Sequence, residues 1–236
     1  LGISAATISH LRHWSTLGQV TTSDTAVALF VSILSLGGAA GSALAAALAR
    51  RAGRRSLLQA ALVIVAVAGG VLALHTGVRS VGALASLIAM RFFLGLGLGM
   101  LTSVTPVFAA EVAQRRARGR TVALFEVAVA AGILVAYGVG AAGASWATCF
   151  GVMVPLAAAC TIGTLWLPES PRWLAWARPR RREEALRILQ QIGESEEDAQ
   201  HIVRTVQLRT ATSKSLVSQA EEGDEDEDED ENDDGS

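Results

Sequence analysis

Apolar residues along this chain gather into long runs of Ala, Val, Leu, Ile and Gly, and the charged residues fall in short clusters between them. A soluble helix has an apolar stripe and a polar opposite face, so runs that are apolar all round predict helices surrounded by other helices or by lipid. About 20 helical residues cross a hydrocarbon core of about 30 Å. Five runs reach that length, near residues 25–49, 56–77, 82–110, 121–143 and 147–167. A sixth run, Leu1 to Ser9, is too short to span, and it lacks the basic flank and small-residue cleavage pattern of a signal peptide. It predicts the end of a first span whose beginning lies upstream.

Past residue 167 the pattern changes. Ala185, Leu186, Leu189 and Ile192 recur at helical spacing, and Gly193 offers a stop. Ser195 opens a Ser-Glu-Glu-Asp sequence that resembles a capping box, followed by Ala199, Ile202, Val203 and Val206 on one face. Two short amphipathic helices are predicted, of mixed charge and suited to packing against the loops of the spans. The Glu221 to Asp234 run is almost purely acidic, has nothing to bury, and predicts disorder. No glycine-centred loop spaces its carboxylates for calcium. The expected organisation is an all-α membrane bundle over residues 1–167, a cytosolic helical region over 168–210 and a disordered acidic tail over 211–236.

Composition agrees with a membrane protein, at 51% hydrophobic residues. The net charge of −2 hides an asymmetry, because residues 221–236 hold 12 of the 22 acids and none of the 20 Lys and Arg. The basic residues occupy alternate loops: Arg50, Arg51, Arg54 and Arg55, then Arg115, Arg116, Arg118 and Arg120, then Arg172, Arg178, Arg180, Arg181, Arg182 and Arg187. The opposite loops hold only Arg12 and Arg79. By the positive-inside rule the arginine-rich loops and the tail are cytosolic, which requires an even number of spans, here six.

Other classes are excluded one by one. Arginine clusters between apolar helices lack the aromatic platform of a nucleic-acid site. Cys149 and Cys160 fit no metal or redox spacing, and His10, His13, His75 and His201 are scattered, so no metal or cofactor is expected. No nucleophile lies in a recognisable elbow, and no catalytic residue is assigned.

Three motifs then stand out. Arg91-Phe-Phe-Leu-Gly-Leu-Gly-Leu-Gly runs on through Pro106, Phe108 and Glu111 to Arg118; Leu167-Pro-Glu-Ser-Pro-Arg-Trp-Leu174 follows the last span; Arg51-Ala-Gly-Arg-Arg55 lies between the second and third. The glycines do not form a dinucleotide loop, since the preceding strand and G-x-G-x-x-G spacing are absent. They read as sites of close helix packing, as do Gly37 and Gly41. Together, in this order, the motifs resemble the amino-terminal half of the sugar porter family of the major facilitator superfamily, over about residues 1–210.

The resemblance implies a six-helix half of an alternating-access carrier whose cargo is a hexose, pentose or polyol, with the lipid bilayer and a missing carboxy-terminal half as partners. It implies a cytosolic gate of ion pairs drawn from Arg51, Arg54, Glu111, Arg118, Glu169 and Arg172. Simple anchoring of loops is the plainer reading of the same charges. Arg50 departs from the family, which has an acid just before this Arg-x-Gly-Arg-Arg sequence. Ser4 stands where proton-coupled members carry an Asp, and Glu126 where sugar porters place a glutamine that binds sugar hydroxyls, with Ile133 beside it. Glu126 and Arg91 are therefore the candidates for proton coupling, against a permanent Arg91–Glu126 salt bridge as the alternative. Two further readings remain: a non-transporting sensor or scaffold that docks a partner through the acidic tail, and a half-carrier that dimerises.

Overall fold

A computed structural model of the chain describes residues 24–74, 81–114, 116–177, 181–193, 195–208 and 212; the partial first run, Ser4 and the acidic run lie outside them. The described residues form helices joined by turns, with no strand among them. They are α1 (Asp24–Leu48), α2 (Arg54–Leu74), α3 (Val81–Val112), α4 (Arg118–Ala141), α5 (Trp146–Gly151), α6 (Met153–Thr164), α7 (Pro171–Ala177), α8 (Arg182–Gln191) and α9 (residues 196–208). Five helical stretches among them are long and apolar enough to cross a membrane. The fifth is α5 and α6 taken together, Ala147–Thr164. Its interruption at Val152 has a local cause: Pro155 has no N–H to offer Gly151 four residues back, and its ring crowds that carbonyl. Ser145 begins this span by accepting a hydrogen bond from the Thr148 N–H at 3.2 Å.

The chain divides into two compact units, the first ending at Glu169 and the second beginning at Ser170. In the first, α3 packs on both α1 and α2, and α2 also packs on α5 and α6. One core cluster joins Phe30, Val65, Leu72, Leu87, Leu94 and Phe150; another, nearer the arginine-rich end, joins Ala45, Leu57, Leu58, Met100, Val104 and Phe108.

The glycines explain how close the backbones come. A Cβ on Gly95 would land on the Leu34 carbonyl, and one on Gly99 on the Gly38 carbonyl. From the other side, a Cβ on Gly37 would strike the Phe92 carbonyl, and one on Gly41 would strike Leu96. These four positions make one seam in which α1 and α3 touch main chain to main chain, as small residues permit in membrane helices. Gly97 belongs to a different contact, facing Ala61 and Val65 of α2.

Against this tight group α4 is an exception. None of its residues is buried, and a Cβ on Gly132 or Gly138 would meet nothing within 4 Å. It exposes Leu124, Val127, Leu134, Val135 and Tyr137.

The second unit has its own core, where Trp173 and Leu174 of α7 meet Ile188 and Leu189 of α8 and Ile202 and Val203 of α9. Its turns are built from local chemistry. Ser170 accepts from the Trp173 N–H and Pro171 follows at the first helical position, where a missing N–H costs nothing. Gly193 ends α8 with φ of 91°, a left-handed conformation that glycine adopts without penalty. The Ser195 hydroxyl accepts from the Asp198 N–H at 3.1 Å, closing the first turn of α9.

Candidate functional site

Charged residues of the first unit converge at the arginine-rich helix ends. Arg54 begins α2 and Glu111 lies in the last turn of α3; Arg54 Nε donates to Glu111 Oε2 at 3.2 Å and Nη2 to Oε1 at 3.4 Å. Arg54 Nη1 also donates to the Ala49 carbonyl, so one guanidinium ties the end of α1, the start of α2 and the end of α3.

Glu169 caps the start of a helix. Its Oε1 accepts from the Arg55 N–H at 3.1 Å, placing a carboxylate at the N-terminus of α2, where unsatisfied amides and the helix dipole favour negative charge. Gly53 makes room for it: a Cβ there would overlap the Glu169 carboxylate. Arg55 Nη2 completes the arrangement by donating at 2.9 Å to the carbonyl of Leu165, just past the end of α6. Each helix end thus satisfies an orphan group of the other. Arg55 is a participant that the motif reading left out, although it stands in the Arg-x-Gly-Arg-Arg sequence.

The remaining gate candidates are Arg118, Arg51 and Arg172. Arg118 Nε donates at 2.8 Å to the Ala110 carbonyl, which sets the start of α4 level with the last turns of α3. Arg51 is exposed in the turn after α1 and its side chain pairs with no described residue. Arg172 is half-buried on α7, in the second unit.

Arg91 lies far from this end. It is 2% exposed, with its guanidinium carbon 4.8 Å from the Phe30 ring centroid and 5.3 Å from that of Phe150, both rings fully buried. Two aromatic faces thus attract a cation that apolar surroundings alone would expel. Neither phenylalanine was singled out from the sequence, because the three residues come from α1, α3 and α5 and meet only in the folded bundle.

The structure does not bring Arg91 and Glu126 together. Glu126 is exposed on α4, Ile133 two turns further on lies on the same side and is also exposed, and the Glu126 side chain has no hydrogen bond or ion pair with a described residue. Helix arithmetic gives the reason. Glu126 is eight residues into α4, about 12 Å from the arginine-rich end, whereas Arg91 is 21 residues from the end of α3, about 31 Å from it. The α3 residue level with Glu126 is close to Val104, which is buried in the lower core.

A bundle of tightly seamed apolar helices, five stretches of which among the described residues are long and apolar enough to cross a bilayer, is that of an integral, multi-pass membrane protein. The chain belongs to the family described as "Sugar (and other) transporter", which matches residues 3–221. It is 33% identical over 198 residues to the putative metabolite transport protein YfiG of Bacillus subtilis, covering 80% of this chain and 39% of that protein. To a quinate permease of Neurospora africana it is 33% identical over 184 residues, 75% of this chain and 34% of that one. The chain thus spans about two fifths or less of these relatives. Among solved structures it shares the fold of the inward-open xylose transporter XylE from E. coli, at a TM-score of 0.72 and 23% identity, over 87% of this chain and 52% of that one.

Proposed function

We propose that the chain is one six-span half of an alternating-access carrier for a hexose, pentose or polyol, in which Glu126 and Ile133 of α4 contact the substrate and the arginine-rich ends face the cytosol. The observation that carries the reading is the setting of Glu126. A carboxylate about 12 Å inside a span, on a helix with no buried residue, is costly against lipid. It belongs beside a polar path or a second helical bundle, and a substrate path between two halves supplies both. The names of the relatives support the cargo class, since quinate and xylose are both polyhydroxylated.

Arg54–Glu111 and Glu169 at the α2 N-terminus serve, in this proposal, as the breakable part of a cytosolic gate, with Arg51, Arg118 and Arg172 as further members. Partly buried charged contacts suit that role, because a switch needs only a few kcal/mol between its states. Protons are the proposed coupling ion, with Glu126 as the titrating group and Arg91 as a fixed cation.

Solute counterflow in proteoliposomes, using this chain joined to its second half, tests the proposal. Glu126→Leu raises KM for sugar about tenfold, the effect of losing one charge-assisted hydrogen bond; an unchanged KM removes Glu126 from the substrate path. Glu126→Gln abolishes acceleration by a pH gradient, and a full remaining response ends the coupling proposal while leaving transport intact. The 236-residue chain alone gives no flux.

A further inference from the structure

The second unit contains a groove that the transport proposal does not use. It is an open concavity of about 510 Å3, lined by Arg182, the first residue of α8, and by Glu197, Gln200, His201, Arg204 and Gln207 of α9. The five α9 positions recur at three- and four-residue spacing on one face, opposite Ala199, Ile202 and Val203, which are buried in the core of the unit. The groove is therefore held by packed apolar residues beneath it. Arg182, His201 and Arg204 form no side-chain hydrogen bond or ion pair with a described residue, whereas the adjacent Arg181 is paired with Glu184.

We propose that this groove binds a phosphorylated polyol. Two guanidinium groups from separate helices border one concavity, and a planar carboxylate would occupy only one such fork. A phosphate monoester presents three oxygens and engages both, with His201 as a third donor when protonated. Glu197 restricts the rest of the ligand. An acceptor-only side chain repels a polyphosphate or an acidic peptide, the chain's own Glu221–Asp234 run included, and accepts a hydrogen bond from a ligand hydroxyl. Gln200 and Gln207 accept from or donate to further hydroxyls. One anionic group and several hydroxyls match this lining, and the volume lies in the range of small-molecule sites. The same chemistry is offered by a soluble sugar phosphate and by the headgroup of an inositol-phosphate lipid.

Calorimetric titration of the 236-residue chain in phosphatidylcholine nanodiscs tests the site, with glucose 6-phosphate, inorganic phosphate and water-soluble dioctanoyl phosphatidylinositol 4-phosphate as probes. Saturable binding of either organic probe is expected; the tighter of the two identifies the source as metabolite or lipid. Arg182→Gln and Arg204→Gln each weaken it about tenfold. Glu197→Gln shifts preference from the organic probes toward inorganic phosphate, because the repelling charge and the stronger hydroxyl acceptor are lost together. All three side chains are exposed, so helicity by circular dichroism stays constant across the series. Absence of saturation at millimolar concentrations, or equal binding by the double arginine variant, overturns the proposal. So does binding that appears only after residues 221–236 are removed, which would make the tail the occupant.

Discussion

Arg54 and Glu111, 57 residues apart in sequence, meet in a two-pronged ion pair with side-chain exposures of only 19% and 11%. Because Arg54 also holds the Ala49 carbonyl, removing Glu111 leaves that second bond in place. A double-mutant cycle of Arg54→Gln and Glu111→Gln, read by thermal unfolding in detergent, is expected to give a coupling energy of about 1 kcal/mol. Strict additivity would show that the two charges do not support one another.

Gly53 and Glu169 act as one unit. Gly53→Ala displaces the carboxylate and Glu169→Ala deletes it, so each costs about 1 kcal/mol through loss of the same contact at the α2 N-terminus. The double variant is expected to cost little more than either single one. Full addition of the two losses, by the same unfolding assay, would separate the residues.

Substituting glycines by alanine discriminates the seam from the loose helix. Gly99→Ala places its methyl on the Gly38 backbone and is expected to destabilise by about 1–3 kcal/mol. Gly132→Ala meets nothing within 4 Å and is expected to be neutral or to stabilise α4 by up to about 1 kcal/mol through helix propensity. Unfolding temperatures that fall equally for both would contradict the seam.

Phe150→Leu removes one of the two rings over Arg91 and part of a closed core, so a loss of about 1–3 kcal/mol is expected. In an Arg91→Met background the same change costs less, because the cation–π part has gone. Equal costs in both backgrounds would reduce Phe150 to plain packing.

The spans are legible in the sequence because a bilayer imposes one simple requirement, about 20 apolar residues in a row, and the runs announce it. The break at Val152 and the short helix α7 are not read that way, yet their signals are local: Pro155 four residues after Gly151, and Ser170 followed by Pro171 ahead of Trp173. The Arg54–Glu111 contact grows out of motifs at two helix ends. Arg91 is different, since its surroundings depend on which faces of α1 and α5 turn toward α3, and apolar runs that are hydrophobic all round do not reveal a face. The supposed pairing with Glu126 failed for a related reason: both residues lie within spans, but depth along antiparallel helices has to be counted from a shared end.

The α1–α3 seam has one more consequence, for how force passes through the bundle. Where side chains separate two helices, rotamer changes absorb a displacement; where carbonyls lie against glycine backbones, no such cushion exists. A push on α1 is therefore delivered undiminished to α3, and through the Arg54 linkage to α2. Beyond its first turn α4, the span without a buried residue, has no comparable backbone contact: a Cβ on Gly132 or Gly138 meets nothing within 4 Å, so its position rests on softer side-chain packing.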